Sequence, residues 1–289
     1  MADPLFGFIG LGAMGEPMAS NIAEKGHAMI VHDIAGTADR APEGAEIAQS
    51  NGEIALRAKV IALSLPTVDA NRAVIEEIAE AGHAGSVIVD TCTIGTEAAA
   101  ENSRVLEAVG IAYVDSPVSG MKSGAEAGTL ASMTSGSEDA IERARPLIEG
   151  YSRVLYRVGT KPGQGQRMKV VNNALFIAGL VITSEALSYG EKGGLDLDTM
   201  LEVVNASSGQ NFSTAQLFPA YVATGKYDDA GAAARIIEKD MGLFVKGSRS
   251  DDTVNGTIEA AYERLMSFAE SGPDRDMAWM YPYIRDEIK

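Results

Sequence analysis

The stretch that decides the fold stands near the start of the chain: Phe6-Gly7-Phe8-Ile9-Gly10-Leu11-Gly12-Ala13-Met14-Gly15, followed by Glu16-Pro17-Met18-Ala19-Ser20-Asn21. An apolar run breaks into glycines and continues at helical spacing, so it reads as strand, tight turn and helix. Gly10 permits the turn, Gly12 lets backbone approach a pyrophosphate, and Gly15 lets the helix pack closely on the sheet. The helix N-terminus then faces the phosphates with unpaired N–H groups. Because glycines also mark ordinary turns, the pattern is tested by what ends the next strand. After a helix over 16–24 and a turn at Lys25-Gly26, Ala28 to Asp33 reads as a second strand closing on a carboxylate. A carboxylate there binds both ribose hydroxyls of an adenosine and repels a 2′-phosphate, which points to NAD over NADP. Arg40, seven residues on, leaves NADP open.

Composition narrows the class. With 289 residues and 46% hydrophobic content the chain can bury a sizeable core and divide into two domains. A net charge of −16 argues against nucleic acid, whose phosphates require clustered Lys and Arg. The single cysteine, Cys92, excludes an intramolecular disulfide and fits a reducing, cytoplasmic compartment. Neither a secretory leader nor a membrane span is expected. His27, His32 and His83 lack metal-ligand spacing, so no metal is expected.

Short apolar runs at 60–65, 86–90, 111–115, 129–134 and 153–158 alternate with helical patterns such as Ala70 to Ala81. Strands apolar on both faces with intervening helices imply a doubly wound parallel sheet, with the dinucleotide at the carboxyl ends of its strands. From Gln164 to Lys192 the apolar spacing is helical without proline, a helix of roughly 43 Å at about 1.5 Å per residue. Further helices are expected over 195–205, 215–224, 232–248 and 253–270. The organisation expected is thus an α/β domain over 1–161 and an all-α domain over 162–289 that begins with a long interdomain helix.

Lys169 and Asn173 lie at i and i+4 on that helix and share one face. A lysine near a desolvated cleft exchanges protons near neutral pH, and an amide beside it can hydrogen-bond the same oxygen. On spacing alone, a solvated lysine beside a capping asparagine is the more natural reading. Ala206 to Phe212 reads either as a plain helix–helix loop or as polar residues meeting a substrate tail.

Beyond the glycine run, the motifs Leu65-Pro66, Asp90-Thr91-Cys92-Thr93-Ile94, Asp115-Ser116-Pro117-Val118-Ser119-Gly120, Gly124 to Leu130, Gly163-x-Gly165-x-x-x-Lys169-x-x-x-Asn173 and Lys239-Asp240 recur in order. Together they make the chain resemble, over nearly its whole length, the β-hydroxyacid dehydrogenases. That family includes 3-hydroxyisobutyrate dehydrogenase and tartronate semialdehyde reductase, with 6-phosphogluconate dehydrogenase a longer relative. The resemblance implies a Rossmann-type first domain. An all-α domain built around one long helix needs a partner to cover its apolar faces, so a homodimer or homotetramer is expected. It implies Lys169 as general acid/base, with Asn173 on the reacting alcohol or the substrate carboxylate. Ser119 and Gly120 would hold the carboxylate of a small anionic hydroxy acid. Gly10, Leu11, Gly12, Ala13, Met14, Gly15, Asp33, Leu65, Pro66, Thr93 and Lys239 would line the cofactor. Two departures stand out. Met121-Lys122 replaces the second glycine of Ser-Gly-Gly and its neighbour, adding bulk and a charge at the substrate loop, and Cys92-Thr93 replaces Ser-Thr. Cys92 has no His in its motif and reads as packing rather than as a nucleophile.

The expected activity is hydride transfer between NAD and a small β-hydroxy acid similar to 3-hydroxyisobutyrate, or its semialdehyde. An NADPH-dependent reductase of glyoxylate, succinic semialdehyde or a sulfonated semialdehyde is the alternative within the family. A dinucleotide sensor without turnover is the alternative outside it.

Overall fold

The computed structural model describes residues 5–288. The chain falls into two compact units, Met1–Lys169 and Val170–Lys289.

The first unit is built on a sheet of nine strands. They are β1 (Phe6–Ile9), β2 (Met29–His32), β3 (Glu46–Ile47), β4 (Val60–Leu63), β5 (Val87–Asp90), β6 (Ala112–Asp115), β7 (Val118–Ser119), β8 (Leu130–Ser135) and β9 (Ser152–Gly159). Their order is β3-β2-β1-β4-β5-β6-β8-β7, with β9 beside β8. From β3 to β6 every pairing is parallel. The expectation of a parallel sheet holds over this part, and β8 then runs antiparallel to both β6 and β7. The connection over 116–129 forms β7 and a six-residue helix before the chain returns as β8, and antiparallel neighbours need no crossover.

Alternation along each strand supplies two cores. Phe6, Phe8, Val31, Ala62 and Val89 face one side with Met18, Ile22, Leu147 and Tyr151. Ile9, Ile30, Ile61, Leu63 and Ile88 face the other with Ile54, Ile75 and Leu106. Strands buried on both faces read as continuous apolar runs, which is why the central ones stand out in the sequence.

The helices of this unit are α1 (Gly15–Glu24), α2 (Asn51–Arg57), α3 (Val68–Ala81), α4 (Thr96–Glu107), α5 (Met121–Glu126) and α6 (Glu138–Tyr151). The apolar pattern singles out α1 and α3 but not α2, α4, α5 or α6. Their signals are local. Ser50 caps α2 by accepting the Glu53 N–H, the Glu53 carboxylate reaches back to the Gln49 N–H, and Ser137 caps α6 through the Ala140 N–H.

Helix α7 spans Gln164–Lys192, the range read from sequence. It is long and apolar enough to cross a membrane by composition, with a mean hydropathy of 1.6, yet 56% of that stretch is buried inside the protein. A core helix meets the same test. Its first turns hydrogen-bond to the sheet of the first unit, which is why that unit extends to Lys169.

The second unit is helical, as expected: the rest of α7, α8 (Leu197–Asn205), α9 (Ala234–Ser250), α10 (Gly256–Ser271) and short turns over 277–287. Over Ser213–Val222 the helix is of the wider π form, with Ala223 N–H bonded to Phe218 C=O. Pro219 lies inside it and has no N–H to continue an α ladder, a physical reason for the widened turn.

Candidate active site

The parallel register aligns the carboxyl ends of the central strands. Gly10 N–H bonds His32 C=O, Ser64 N–H bonds Ile9 C=O, Thr91 N–H bonds Leu63 C=O, and Ser116 N–H bonds Asp90 C=O. Gly10–Gly15, Asp33, Leu65-Pro66 and Thr93 therefore leave the sheet along one edge. Strand order reverses there between β1 and β4, the place where open α/β sheets bind ligands.

The three fingerprint glycines have different causes. Gly10 has φ +93°, and a Cβ on it would lie 2.2 Å from Ser64 C=O. A Cβ on Gly15 would lie 1.9 Å from Gly10 C=O. Both are demanded by the fold. Gly12 has nothing within 4 Å of a Cβ and is not in the left-handed region, so neither strain nor a protein neighbour requires glycine. That leaves bare, unobstructed backbone at the turn, of the kind a pyrophosphate can approach.

Asp33 follows β2 and is shaped by its own loop. Its Oδ2 accepts the Leu11 N–H at 2.6 Å, its Oδ1 accepts the Ala35 N–H at 2.7 Å, and the Arg40 guanidinium stands 3.5 Å from Oδ1. The carboxylate thus ties the glycine turn to the end of β2. Leu11 is buried in the core and its N–H is engaged by Asp33, while Gly12 and Ala13 are exposed. Met14 is half-buried and packs on the larger core.

Beside this edge, Leu65 N–H points to Cys92 Sγ at 3.1 Å, and Pro66 is exposed. Cys92 is buried, and its thiol is pushed well above the ordinary range by burial and by the nearby Asp90 carboxylate. A protonated, enclosed thiol is a packing group, as its motif suggests. Thr93 follows, half-buried.

Ser119 ends β7, which pairs with β8 in the register Ser119↔Ala131. Gly120 has φ +141°, and Met121 has φ +60°, left-handed values that disfavour any side chain. Met121 therefore holds a conformation natural to glycine, at a cost of order 1 kcal/mol. Lys122 is exposed and pairs along α5 with Glu126 at 3.3 Å, so its charge is matched locally.

In the second unit, Asn173 and Asp240 are both buried, and Asn173 Nδ2 donates to Asp240 Oδ2 at 2.7 Å. Lys239 Nζ lies 3.0 Å from Asp240 Oδ1. One carboxylate on α9 thus orients the amide expected at the substrate and the lysine expected at the cofactor. In the 206–212 loop, Asn211 is occupied with structure, its Oδ1 accepting the Ser213 and Thr214 N–H groups and its Nδ2 donating to Thr183. Phe212 packs edge-on against Phe176 at 5.3 Å, and Phe218 is buried against Tyr281. Among the described residues no group of three His, Cys, Asp or Glu is placed to hold a metal.

Three side chains that hold this arrangement receive no role from the sequence: Asp115, Gln166 and Asp240. Asp115 and Gln166 join the end of β6 to the start of α7, and burial pushes the Asp115 carboxyl up to about 6. A signal was present in each motif: a carboxylate closing an apolar strand, a glutamine within the Gly163-to-Lys169 spacing, and an aspartate beside Lys239.

Comparison with known proteins agrees with this geometry. Residues 5–159 match the family described as the NAD binding domain of 6-phosphogluconate dehydrogenase. Residues 163–284 match that described as the NAD-binding domain of NADP-dependent 3-hydroxyisobutyrate dehydrogenase. Among curated proteins, the 2-(hydroxymethyl)glutarate dehydrogenase of Eubacterium barkeri is 34% identical over 84% of this chain and 82% of its own length. The NAD-dependent L-serine dehydrogenase of Pseudomonas aeruginosa is 30% identical over 90% of this chain and 91% of its own. A solved structure of the 3-hydroxyisobutyrate dehydrogenase of Mycobacterium tuberculosis with L-serine superposes with a TM-score of 0.89 at 26% identity, covering 98% of this chain and 99% of that one. The glycine edge, the carboxylate after β2, the ordered motifs and these likenesses lead to one conclusion: the chain belongs to the β-hydroxyacid dehydrogenase family and is an NAD(P)-dependent oxidoreductase acting on CH–OH groups.

Proposed function

We propose that the protein oxidises a small β-hydroxy acid similar to 3-hydroxyisobutyrate, or reduces the matching semialdehyde, with preference for NAD and with Lys169 as general acid/base. The observation that carries this reading is the placement of Lys169 and Asn173 four residues apart on α7, with the Asn173 amide fixed by Asp240 at 2.7 Å. An immobilised amide beside a lysine can hold an alcohol oxygen while Lys169 Nζ accepts its proton, and returns the proton in the reverse direction. Bound NAD(P) supplies the hydride acceptor or donor. Gly10–Gly15 and Asp33 would hold its pyrophosphate and adenosine ribose, and Leu65, Pro66, Thr93, Met14 and Lys239 the remainder. Ser119 and Gly120 would take the substrate carboxylate, and Met121 would narrow the pocket around its side chain.

Arg40 beside Asp33 supports a second reading, in which NADPH is accepted by a semialdehyde reductase. A homodimer or homotetramer is favoured by Leu175, Ile182 and Tyr189. These recur every seven residues on α7 and are 69%, 52% and 83% exposed, an apolar stripe suited to a partner. The lone buried thiol fits a cytoplasmic setting.

The test is a panel of β-hydroxy acids and semialdehydes, sulfonated ones included, assayed with NAD and NADP side by side for the parent and Lys169→Ala. A fall in kcat of ~10²-fold or more on one β-hydroxy acid, with NADH affinity retained, is expected. Unchanged turnover of Lys169→Ala removes the lysine from the mechanism, and NAD binding without turnover of any member points to a sensor.

A further inference from the structure

We infer that Asp115 and Gln166 are positioning residues that set Lys169 relative to the 91–95 segment carrying Thr93. The inference rests on the reading of Lys169 as acid/base.

Asp115 closes β6 and is wholly buried. Its Oδ2 accepts the N–H groups of Gly163 at 2.9 Å and Gln166 at 3.0 Å, and the Ser135 hydroxyl at 3.1 Å. Its Oδ1 accepts Gln166 Nε2 at 2.8 Å. The carboxylate therefore caps the first turn of a 29-residue helix, whose aligned peptide dipoles favour an anion at that end. Bonds from N–H groups to an ionised acceptor are roughly twice as strong as neutral ones.

Gln166 extends the connection. Its Oε1 accepts the N–H groups of Ile94 at 2.9 Å and Gly95 at 3.0 Å, and its Nε2 donates to Cys92 C=O at 2.9 Å as well as to Asp115. Two donors and two lone pairs are the full capacity of an amide, and all are engaged. One side chain thus binds both sides of Thr93, at Cys92 and at Ile94-Gly95, to the helix turn that precedes Lys169.

The approach is also steric. Gly165 N–H bonds Ser135 Oγ at 2.9 Å, and a Cβ on Gly165 would lie 2.4 Å from Met133 C=O. Sliding or rotating the start of α7 would break the Gly163, Gly165 and Gln166 bonds together, leaving buried polar groups unpaired. Lys169 is one turn past Gln166, so the backbone from which its side chain departs has a single position.

Saturation of this network separates positioning from bulk stability. In Asp115→Asn, one N–H of the new amide must face donors from α7. In Gln166→Met, side-chain length is kept and all four bonds are lost. Each variant is to be assayed as the full chain, with melting temperature and circular dichroism to establish folding, fluorescence titration for NADH affinity, and steady-state kinetics on the best substrate of the panel. A displaced catalytic group can cost up to ~10²-fold, so kcat is expected to fall by about tenfold or more in both, with NADH affinity within about twofold of the parent. Combined with Lys169→Ala, neither should lower kcat further. Folded variants with kcat near the parent value, or losses that multiply with that of Lys169→Ala, overturn the positioning role while leaving the acid/base reading intact. Unchanged kcat in Lys169→Ala overturns both. Should Asp115→Asn not fold, Gln166→Met decides on the same readings.

Discussion

Asn173 on α7 donates through Nδ2 to Asp240 Oδ2 on α9 at 2.7 Å, and both residues are buried. The same carboxylate holds Lys239 at 3.0 Å, so it fixes the amide and the cation together. A buried amide whose acceptor is removed turns to other partners or remains unsatisfied, at about 1–3 kcal/mol. Asp240→Ala should lower kcat/KM for the hydroxy acid by roughly tenfold or more and weaken NADH binding as well, because Lys239 loses the same carboxylate. Kinetics unchanged in a folded variant would show that Asn173 is held by its own helix.

Gly12 and Gly15 make a pair of opposite predictions. A Cβ at Gly12 meets no protein atom within 4 Å, whereas one at Gly15 would lie 1.9 Å from Gly10 C=O. Gly12→Ala should therefore melt at the parent temperature and bind NADH about tenfold or more weakly. Gly15→Ala should be destabilised by more than ~1 kcal/mol, because backbone rather than a flexible side chain must move. Thermal melts and fluorescence titrations of both check this. Full NADH affinity in Gly12→Ala would remove the pyrophosphate from that turn.

Asp33 is expected to set cofactor preference, with Arg40 as the residue it restrains at 3.5 Å. Removing the carboxylate removes the repulsion of a 2′-phosphate and releases a cation suited to bind it. In Asp33→Asn the ratio of kcat/KM for NAD to that for NADP should fall by about tenfold or more. Adding Arg40→Ala should take away part of the gain with NADP. If the ratio is the same in parent and Asp33→Asn, another residue sets the preference.

Asp115 predicts a pH dependence of stability. Burial is the main cause that raises its carboxyl from 3.8 to about 6, against the lowering effect of its Gln166 bonds. Asp90 and Tyr113, both buried, are the titratable neighbours coupled to it. Because the folded state holds this proton more tightly than the unfolded chain, the contribution to stability is full at low pH. It is lost as pH rises from about 4 to about 6, and is constant above that. The difference in unfolding free energy between parent and Asp115→Asn should follow that course, with a slope of at most about 1.4 kcal/mol per pH unit for one proton. Urea unfolding of both proteins at pH values from 4.5 to 7.5 measures it. A difference that stays level across the range would mean that Asp115 keeps an ordinary carboxyl.

Much of the first unit is legible from β1 outward. Val60–Leu63 and Val87–Asp90 are apolar on both faces because both faces are covered, and α7 has twenty-nine residues of helical spacing without proline. The pieces that escape the apolar pattern are those whose causes are local or distant. Helix α2 depends on the Ser50 cap, β7 on pairing with β8, and the π turns at 213–222 on Pro219 within a helix. At the candidate site, the residue types at Asp33, Lys169 and Asn173 are readable, and their partners are not. Leu11 is 22 positions from Asp33, Asp240 is 67 from Asn173, and Gln166 is 51 from Asp115.

The amino-acid sequence by itself determined the nucleotide-binding class, the run of crossover strands and the long helix, because glycine at a tight turn and apolar periodicity act over a few residues. Only the tertiary structure decided which glycine the fold does not require, that Met121 stands in a glycine conformation, that Lys122 is matched by Glu126, and that Asp115, Gln166 and Asp240 hold the groups around them. The bonds of Asp115, Gln166 and Asp240 join segments distant in the chain, and their geometry follows from packing, which no local pattern records.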